Sequence, residues 1–367
     1  MSAAVLPFRS EPDLHSAAAR PRIGFLGVGW IGRHRLNAVA ESGLAEIAVI
    51  ADAAPDAIAP ASEIAPHAVV VHSFDELLAE RPDAVVIATP SAMHAEQAIE
   101  ALNRGMHVFC QKPLGRNAAE TRCVIEAARR ADRLLAVDLS YRFITGMRRI
   151  YDLIHRGELG RIFAVDLVFH NAYGPDKAWF YDRQLSGGGC VTDLGIHLID
   201  LALWALDFPR VQTISSHLFA QGEPLQSQDD RVEDYAAVLL ALAGGATVQM
   251  ACSWKLQAGC DAVIEASFYG TQGGARLHNI NGSFYDLVAE RFHGTRRERL
   301  NSLPDAWGGR AITNWARRVA AGEKYNPSVE RLIDVAETLD GIYAQAGSNL
   351  NDAAESGFEE LLTGEDG

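Results

Sequence analysis

Between a short apolar run, Arg22–Gly27, and a segment with helical spacing, Arg33–Val39, the chain carries Gly27-Val28-Gly29-Trp30-Ile31-Gly32. A G-x-G-x-x-G placed between strand and helix is the strongest single constraint on how this chain can fold. Gly27 permits the tight turn, Gly29 lets backbone N–H groups reach a pyrophosphate, and Gly32 lets the helix lie close on the sheet. Trp30 and Ile31, the side chains inside the turn, are expected beside the cofactor. A second apolar run, Glu46–Ala51, ends in Asp52, twenty residues past Gly32. An acid there can bond both hydroxyls of an adenosine ribose. Ala53 and Ala54 follow it, with no Arg or Lys to neutralise a 2′-phosphate, which favours NAD over NADP. The alternative for Asp52 is a turn residue after a buried strand.

The alternation continues through residue 140. Residues 68–72, 82–90, 107–113 and 134–140 read as strands, and 74–80, 91–105 and 117–133 as helices, with Ser91 expected as a cap. Near-continuous apolar strands separated by helices imply a doubly wound parallel sheet covered on both faces, an N-terminal Rossmann domain. Ligands on such sheets sit at the carboxyl ends of the strands, where Gly27–Gly32, Asp52, Thr89, Lys112 and Tyr141 all fall.

From Phe143 the period changes. Residues 145–157 read as a helix, while 163–170, 235–241, 247–254 and 262–269 alternate with period two, with turns at Gly244-Gly245 and 270–274. Helices at 309–321 and 328–346 close the chain. This describes a C-terminal α+β domain with a mostly antiparallel, open-faced sheet, its uncovered face either solvated or a subunit interface. The domains expected are an extension over 1–20, an NAD-binding domain over 21–142, a substrate and oligomerisation domain over 143–347, and an acidic tail over 348–367.

Within the second half, Gly187-Gly188-Gly189 precedes Thr192 and an apolar segment running to Trp204. The expectation is a glycine turn, a Thr192 cap and an amphipathic helix on which Asp193 and His197, four apart, share one face. Glycines ahead of the helix let another group approach its first turn. A carboxylate next to an imidazole is a proton-handling pair; the alternative is an exposed Asp and a core His.

A net charge of −14 argues against a nucleic-acid partner, and runs such as Arg296-Arg297 are too short to offset it. Five cysteines, widely spaced and with no C-x-x-C pair, fit a reducing compartment and offer no zinc cage. Arg9, Glu11 and Asp13 interrupt any signal-peptide core, and no apolar run approaches the length of a membrane span. The expectation is a soluble cytoplasmic protein that uses no metal and contacts no membrane.

Ala88-Thr-Pro-Ser-Ala-Met-His94, followed by Ala101 to Leu114 with its Lys112-Pro113, closely resembles the Gfo/Idh/MocA oxidoreductases. That family includes inositol dehydrogenases and glucose–fructose oxidoreductase. The resemblance extends from Pro21 to about Gly347 and takes in the glycine fingerprint, Asp52 and the G-G-G…D-x-G-x-H helix. It implies that Lys112, Asp193 and His197 are catalytic, and that Thr89, Pro90, His94 and Gln111 lie beside the cofactor. It further implies hydride transfer between NAD and a secondary alcohol of a sugar, sugar acid or cyclitol. His197 would be the base, Asp193 would orient or polarise it or bind a neighbouring hydroxyl, and Lys112 would hold the reacting oxygen. One departure stands out: the family's usual Glu-Lys-Pro is Gln111-Lys112-Pro113 here. Gln removes a negative charge beside Lys112 and is expected to pack on the nicotinamide side. Tyr141, Arg142, Asn171 and Trp179 are candidate substrate contacts, with ordinary packing the alternative for each. A homodimer or homotetramer through the C-terminal sheet is expected. Rival readings are a glycosidase using transient oxidation by held NAD, and a non-catalytic NAD-binding regulator.

Overall fold

Runs rich in Val, Ile and Ala form the strands of the first half because both of their faces are covered. The computed structural model describes residues 20–226 and 230–346; the expected extension before Arg20 and the acidic tail lie outside the described residues. The order is β1 (Arg22–Leu26), α1 (Trp30–Ser42), β2 (Glu46–Ala51), α2 (Pro55–Ile64), β3 (Val69–Val71), α3 (Phe74–Ala79), β4 (Ala84–Ile87), α4 (Ser91–Asn103), β5 (His107–Cys110), α5 (Ala118–Ala131) and β6 (Leu135–Val137). The six strands pair in parallel in the order β3-β2-β1-β4-β5-β6. The order reverses between β1 and β4, so a ligand crevice is expected at their carboxyl ends. Every residue of β4 is fully buried, which explains its unbroken apolar sequence.

Two local expectations are corrected. Ser91 is the first helical residue of α4 and caps nothing; Pro90 holds the cap position. Helix α2 was not expected, because prolines at 55 and 60 and several alanines obscure its period, yet Ile58 and Ala61 are buried.

The second half contains α6 (Thr145–His155), β7 (Ile162–Asn171), α7 (Arg183–Ser186), a π-helical turn over Val191–Gly195, and α8 (Ile196–Ala205). It continues with β8 (Val211–Ala220), β9 (Glu223–Pro224), β10 (Tyr235–Leu242), β11 (Thr247–Ser253), β12 (Ala262–Gly270), β13 (Gly274–Asn279), β14 (Leu287–His293), β15 (Arg296–Arg299), α9 (Arg310–Ala320) and α10 (Leu332–Ala344). The nine strands run β15-β14-β13-β12-β7-β11-β10-β8-β9, antiparallel except where β7 and β11 pair in parallel. One face buries Val165, Leu167, Val238, Val248 and Phe268 against α6, α8 and α10. The other face turns Phe163 and Leu239 outward, so the sheet is open on that side.

Helix α8 is not amphipathic. All but one of its ten residues are buried, because it lies between the sheet and the first half of the chain. Helix α9 crosses back: Ile312, Trp315 and Ala316 join the core made by Phe25, Val86 and Phe109 of the first sheet. Among the described residues no helix is long and apolar enough to cross a membrane.

Candidate active site

The glycine turn is built as its spacing demands. Gly27 has φ +84°, and a Cβ there would meet the Ala88 carbonyl at 2.5 Å. A Cβ on Gly32 would lie 2.1 Å from the Gly27 carbonyl. Gly29 is different, because nothing lies within 4 Å of the place its Cβ would take. A bare glycine facing open space at the start of α1 is a cradle for an approaching ligand, so the residues present fit a dinucleotide pyrophosphate. Asp52 braces this turn: its carboxylate accepts from the Val28 N–H and the Ala54 N–H, both at 2.8 Å. Both oxygens keep lone pairs for further donors.

Thr89 and Pro90 follow β4 at the switch point, and Thr89 Oγ1 donates to Gln97 Oε1 at 2.6 Å. His94 lies one layer back. It is buried, with Nδ1 2.7 Å from the Pro113 carbonyl and Nε2 2.7 Å from that of Thr89, so it ties the ends of β4 and β5 together. Burial lowers its pKa despite those two carbonyls.

Lys112, just past β5, crosses to the second half. Its Nζ donates to the Asp193 backbone carbonyl at 2.6 Å and to the Asp193 carboxylate. The other carboxylate oxygen accepts from Trp254 Nε1 at 3.0 Å. This corrects the expected imidazole–carboxylate pair, since Asp193 is held by an ammonium and an indole rather than by His197. His197 is buried one turn further on, and among the described residues its Nδ1 has no hydrogen-bond partner. Its ring lies 5.2 Å from that of Tyr141. Burial, then the positive charges of Lys112 and Arg35, hold its pKa well below 6.5. The imidazole is therefore neutral at neutral pH and able to accept a proton.

The start of this helix is fixed from outside. Thr192 does not cap it; its hydroxyl is 2.8 Å from that of Tyr343. The cap is Glu233, whose Oε1 accepts from Gly189 N, Val191 N and Tyr343 Oη, each at 2.9 Å. Desolvation raises the Glu233 pKa, against those bonds. A Cβ on Gly189 would lie 2.0 Å from the Glu233 carbonyl, and one on Gly188 would lie 1.9 Å from the Tyr343 hydroxyl. The glycines do admit a close approach, and the approaching groups are these two. Gly195 lets the helix rest on β11, where Cys252 Sγ would be 3.3 Å from its Cβ. Cys190 and Cys252, far apart in sequence, face each other with sulfurs 3.8 Å apart. The π-helical turn carrying Asp193 interrupts the regular helix, an irregularity common at functional sites.

Beneath Lys112 lies a buried polar group. Arg35 Nε bonds Asp138 Oδ2 at 2.5 Å, and Gln111 Nε2 donates to the same oxygen at 2.6 Å. A Glu at 111 would set a second carboxylate against Asp138, so the Gln in this chain matches its neighbour. Arg142 is used internally: it pairs with buried Asp200 and lies over the Trp204 and Phe208 rings. Asn171, at the end of β7, accepts from the Tyr173 N–H. Trp179 stacks on Phe180, and the Phe180 ring meets Trp254 edge-on at 6.3 Å, so this loop adjoins the Asp193 side.

Sequence reading missed Arg35, Asp138, Glu233, Trp254 and Trp307. Asp138 carried a signal, an acid inside an apolar strand, and Glu233 another, an acid just ahead of one. Trp307, in a loop, carried none.

Comparison with known proteins agrees with this architecture. Residues 21–139 match the GFO_IDH_MocA model, described as an oxidoreductase family with an NAD-binding Rossmann fold, and residues 147–276 match the GFO/IDH/MocA C-terminal domain. The D-glucoside 3-dehydrogenase of Escherichia coli (strain K12) is 29% identical over 211 residues, a match spanning 55% of this chain and 60% of that protein. The inositol 2-dehydrogenase of Acidiphilium cryptum (strain JF-5) is 30% identical over 70% of this chain and 73% of its own length. A levoglucosan dehydrogenase solved with NADH and levoglucosan superposes with TM-score 0.77 at 22% identity, covering 89% of this chain and 97% of that one, and so shares the fold.

Proposed function

The chain belongs to the GFO/IDH/MocA oxidoreductases, and on that premise we propose that it is an NAD-dependent dehydrogenase acting on a secondary alcohol of a sugar, sugar acid or cyclitol. The observation that carries this reading is the Lys112–Asp193 bond joining the two halves beside a buried, neutral His197. Two of the three Nζ donors rest on Asp193, which leaves one for a substrate hydroxyl. In this scheme Lys112 holds the reacting oxygen and stabilises alkoxide character as it develops. His197 accepts the hydroxyl proton, general-base help worth roughly 10²–10⁴-fold. Asp193, gripped by Trp254, fixes the ammonium and offers its remaining lone pairs to a neighbouring hydroxyl. When bound, nicotinamide supplies the hydride acceptor.

NAD is preferred over NADP in this proposal because Asp52 stands where a 2′-phosphate would bring a second negative charge. The relatives' names support the substrate class: one acts on a glucoside and another on inositol. Self-association as a homodimer or homotetramer is supported by the uncovered sheet face, where Leu239 and Phe163 are each 45% exposed.

The test is NADH formation from NAD across inositols, aldoses, aldonates, anhydrosugars and glucosides, repeated with NADP. Turnover on at least one polyol, lost in Lys112→Met and His197→Asn and weaker with NADP, is the expected result. Glycoside cleavage without net NADH would replace the reading with a hydrolase. Tight NAD binding with no turnover anywhere would replace it with a regulator.

A further inference from the structure

A run of aromatic rings leads away from His197 toward the glycine turn. Tyr141, 5.2 Å from His197, lies parallel to Trp307 with centroids 6.5 Å apart and an interplanar angle of 13°. Trp307 is likewise parallel to Tyr285 at 6.0 Å and meets Trp30 edge-on at 6.3 Å. Trp30 is the residue after Gly29, so this wall connects the two places that the reaction must bring together. Its ends are Trp30, on the cofactor side and 57% exposed, and Tyr285, away from it and 45% exposed. Adjoining exposed aromatics of this size are uncommon on a protein surface unless something covers them.

We propose that Trp307 and Tyr285, the part of this wall beyond the cofactor-side Trp30, form an aromatic subsite for the part of the substrate beyond the oxidised ring, which makes the preferred substrate a glycoside with a planar, apolar aglycone. This rests on the reading of the cleft as a sugar site and narrows it. A sugar ring needs hydrogen-bond partners over its hydroxyls, and Lys112, Asp193 and His197 supply them at the inner end. The wall offers ring faces instead. Trp307 Nε1 is already bonded to the Phe284 carbonyl at 3.1 Å, and one face of its ring is covered by Arg35, 5.1 Å from the centroid. What Trp307 and Tyr285 leave available is apolar area, of which a flat aromatic aglycone buries more than the C–H face of a polyol ring does.

The test is equilibrium binding of phenyl and methyl D-glucopyranosides, both anomers, to the NAD-loaded protein, followed by intrinsic fluorescence. Wild-type protein should bind one phenyl anomer about tenfold more tightly than its methyl counterpart. Tyr285→Ala should erase most of that advantage, Tyr285→Phe should keep it, and the affinity of Tyr285→Ala for NAD should be unchanged. Equal binding of phenyl and methyl compounds, no binding of any of the four, or an advantage that survives Tyr285→Ala overturns the proposal. A loss of NAD affinity in Tyr285→Ala overturns it too, by giving the ring to the cofactor. Because binding needs no turnover, an aryl preference without oxidation of any sugar would sink the dehydrogenase reading and leave this subsite standing.

Discussion

The ammonium of Lys112, at the end of a parallel strand, is bonded to both the backbone carbonyl and the carboxylate of Asp193, in the π-helical turn of the other half. One side chain thus couples the Rossmann sheet to the helix that carries the imidazole. Removing either partner would leave the other partly buried and uncompensated, so the pair acts as a unit.

Trp254 holds the outer oxygen of Asp193, and Trp254→Phe removes that donor while keeping an aromatic ring. A hydrogen bond to a charged group contributes about 1.5–3 kcal/mol. The expected outcome is a fall in kcat/KM of about 10- to 100-fold, read by steady-state kinetics on whichever polyol is turned over. Unchanged kinetics would mean that Asp193 does not depend on the indole.

Because burial and the Lys112 and Arg35 charges lower the His197 pKa, the acid limb of kcat/KM for oxidation should lie below pH 6.5. Stability has the matching sign. His197 stays neutral in the fold while its unfolded counterpart takes a proton near 6.5. Its contribution is complete above that pH and is lost as pH falls below it. Urea melts at pH 7.5 and 5 should show lower stability at pH 5, with a smaller difference in His197→Gln.

Gln111→Glu restores the residue usual in the family but sets a carboxylate against buried Asp138, whose Oδ2 now accepts from the Gln111 amide. Arg35 is the only cation bonded to that carboxylate among the described residues. The variant should lose about 1–3 kcal/mol at pH 7.5. Thermal melts of the two proteins at pH 7.5 measure this. Equal stability to wild type at pH 7.5 would show that the site tolerates both charges.

Gly29 and Gly32 should respond oppositely to alanine. Gly32→Ala meets the Gly27 carbonyl at 2.1 Å and should lower Tm by several degrees. Gly29→Ala meets no protein atom within 4 Å, so it should fold normally and bind NAD less tightly. Calorimetric melting and NAD titration separate the two effects. Full NAD affinity in Gly29→Ala would remove this glycine from the cradle.

Glu233 accepts three hydrogen bonds through one oxygen, so Glu233→Gln can keep all three while shedding a desolvated charge. It should melt within about 1 kcal/mol of wild type at pH 7, whereas Glu233→Ala should lose about 3 kcal/mol or more by leaving buried N–H groups unpaired. Similar melting of both variants would show that the helix start does not rely on this cap.

Local pattern carried a large share of the result. The glycine fingerprint, the apolar strands and the acid after β2 specify a doubly wound sheet because each is a short-range consequence of backbone geometry and burial. The open-faced second sheet was legible from period-two alternation in β7, β10, β11 and β12. Strands β8, β13, β14 and β15 were not: Ser215 and Ser216 interrupt β8, β13 opens on two small residues, Leu287, Val288 and Ala289 of β14 are buried in succession, and β15 has no apolar residue.

The sequence by itself named Lys112, Asp193 and His197 as candidates, from residue type, spacing and resemblance. Only the tertiary structure decided who pairs with whom. The carboxylate went to Lys112 and Trp254, the helix cap to Glu233, and α9 to the first sheet. Each of those contacts joins residues tens to hundreds of positions apart, and no local period encodes such a partner. The partner follows from which buried polar groups the packed core leaves within reach of one another.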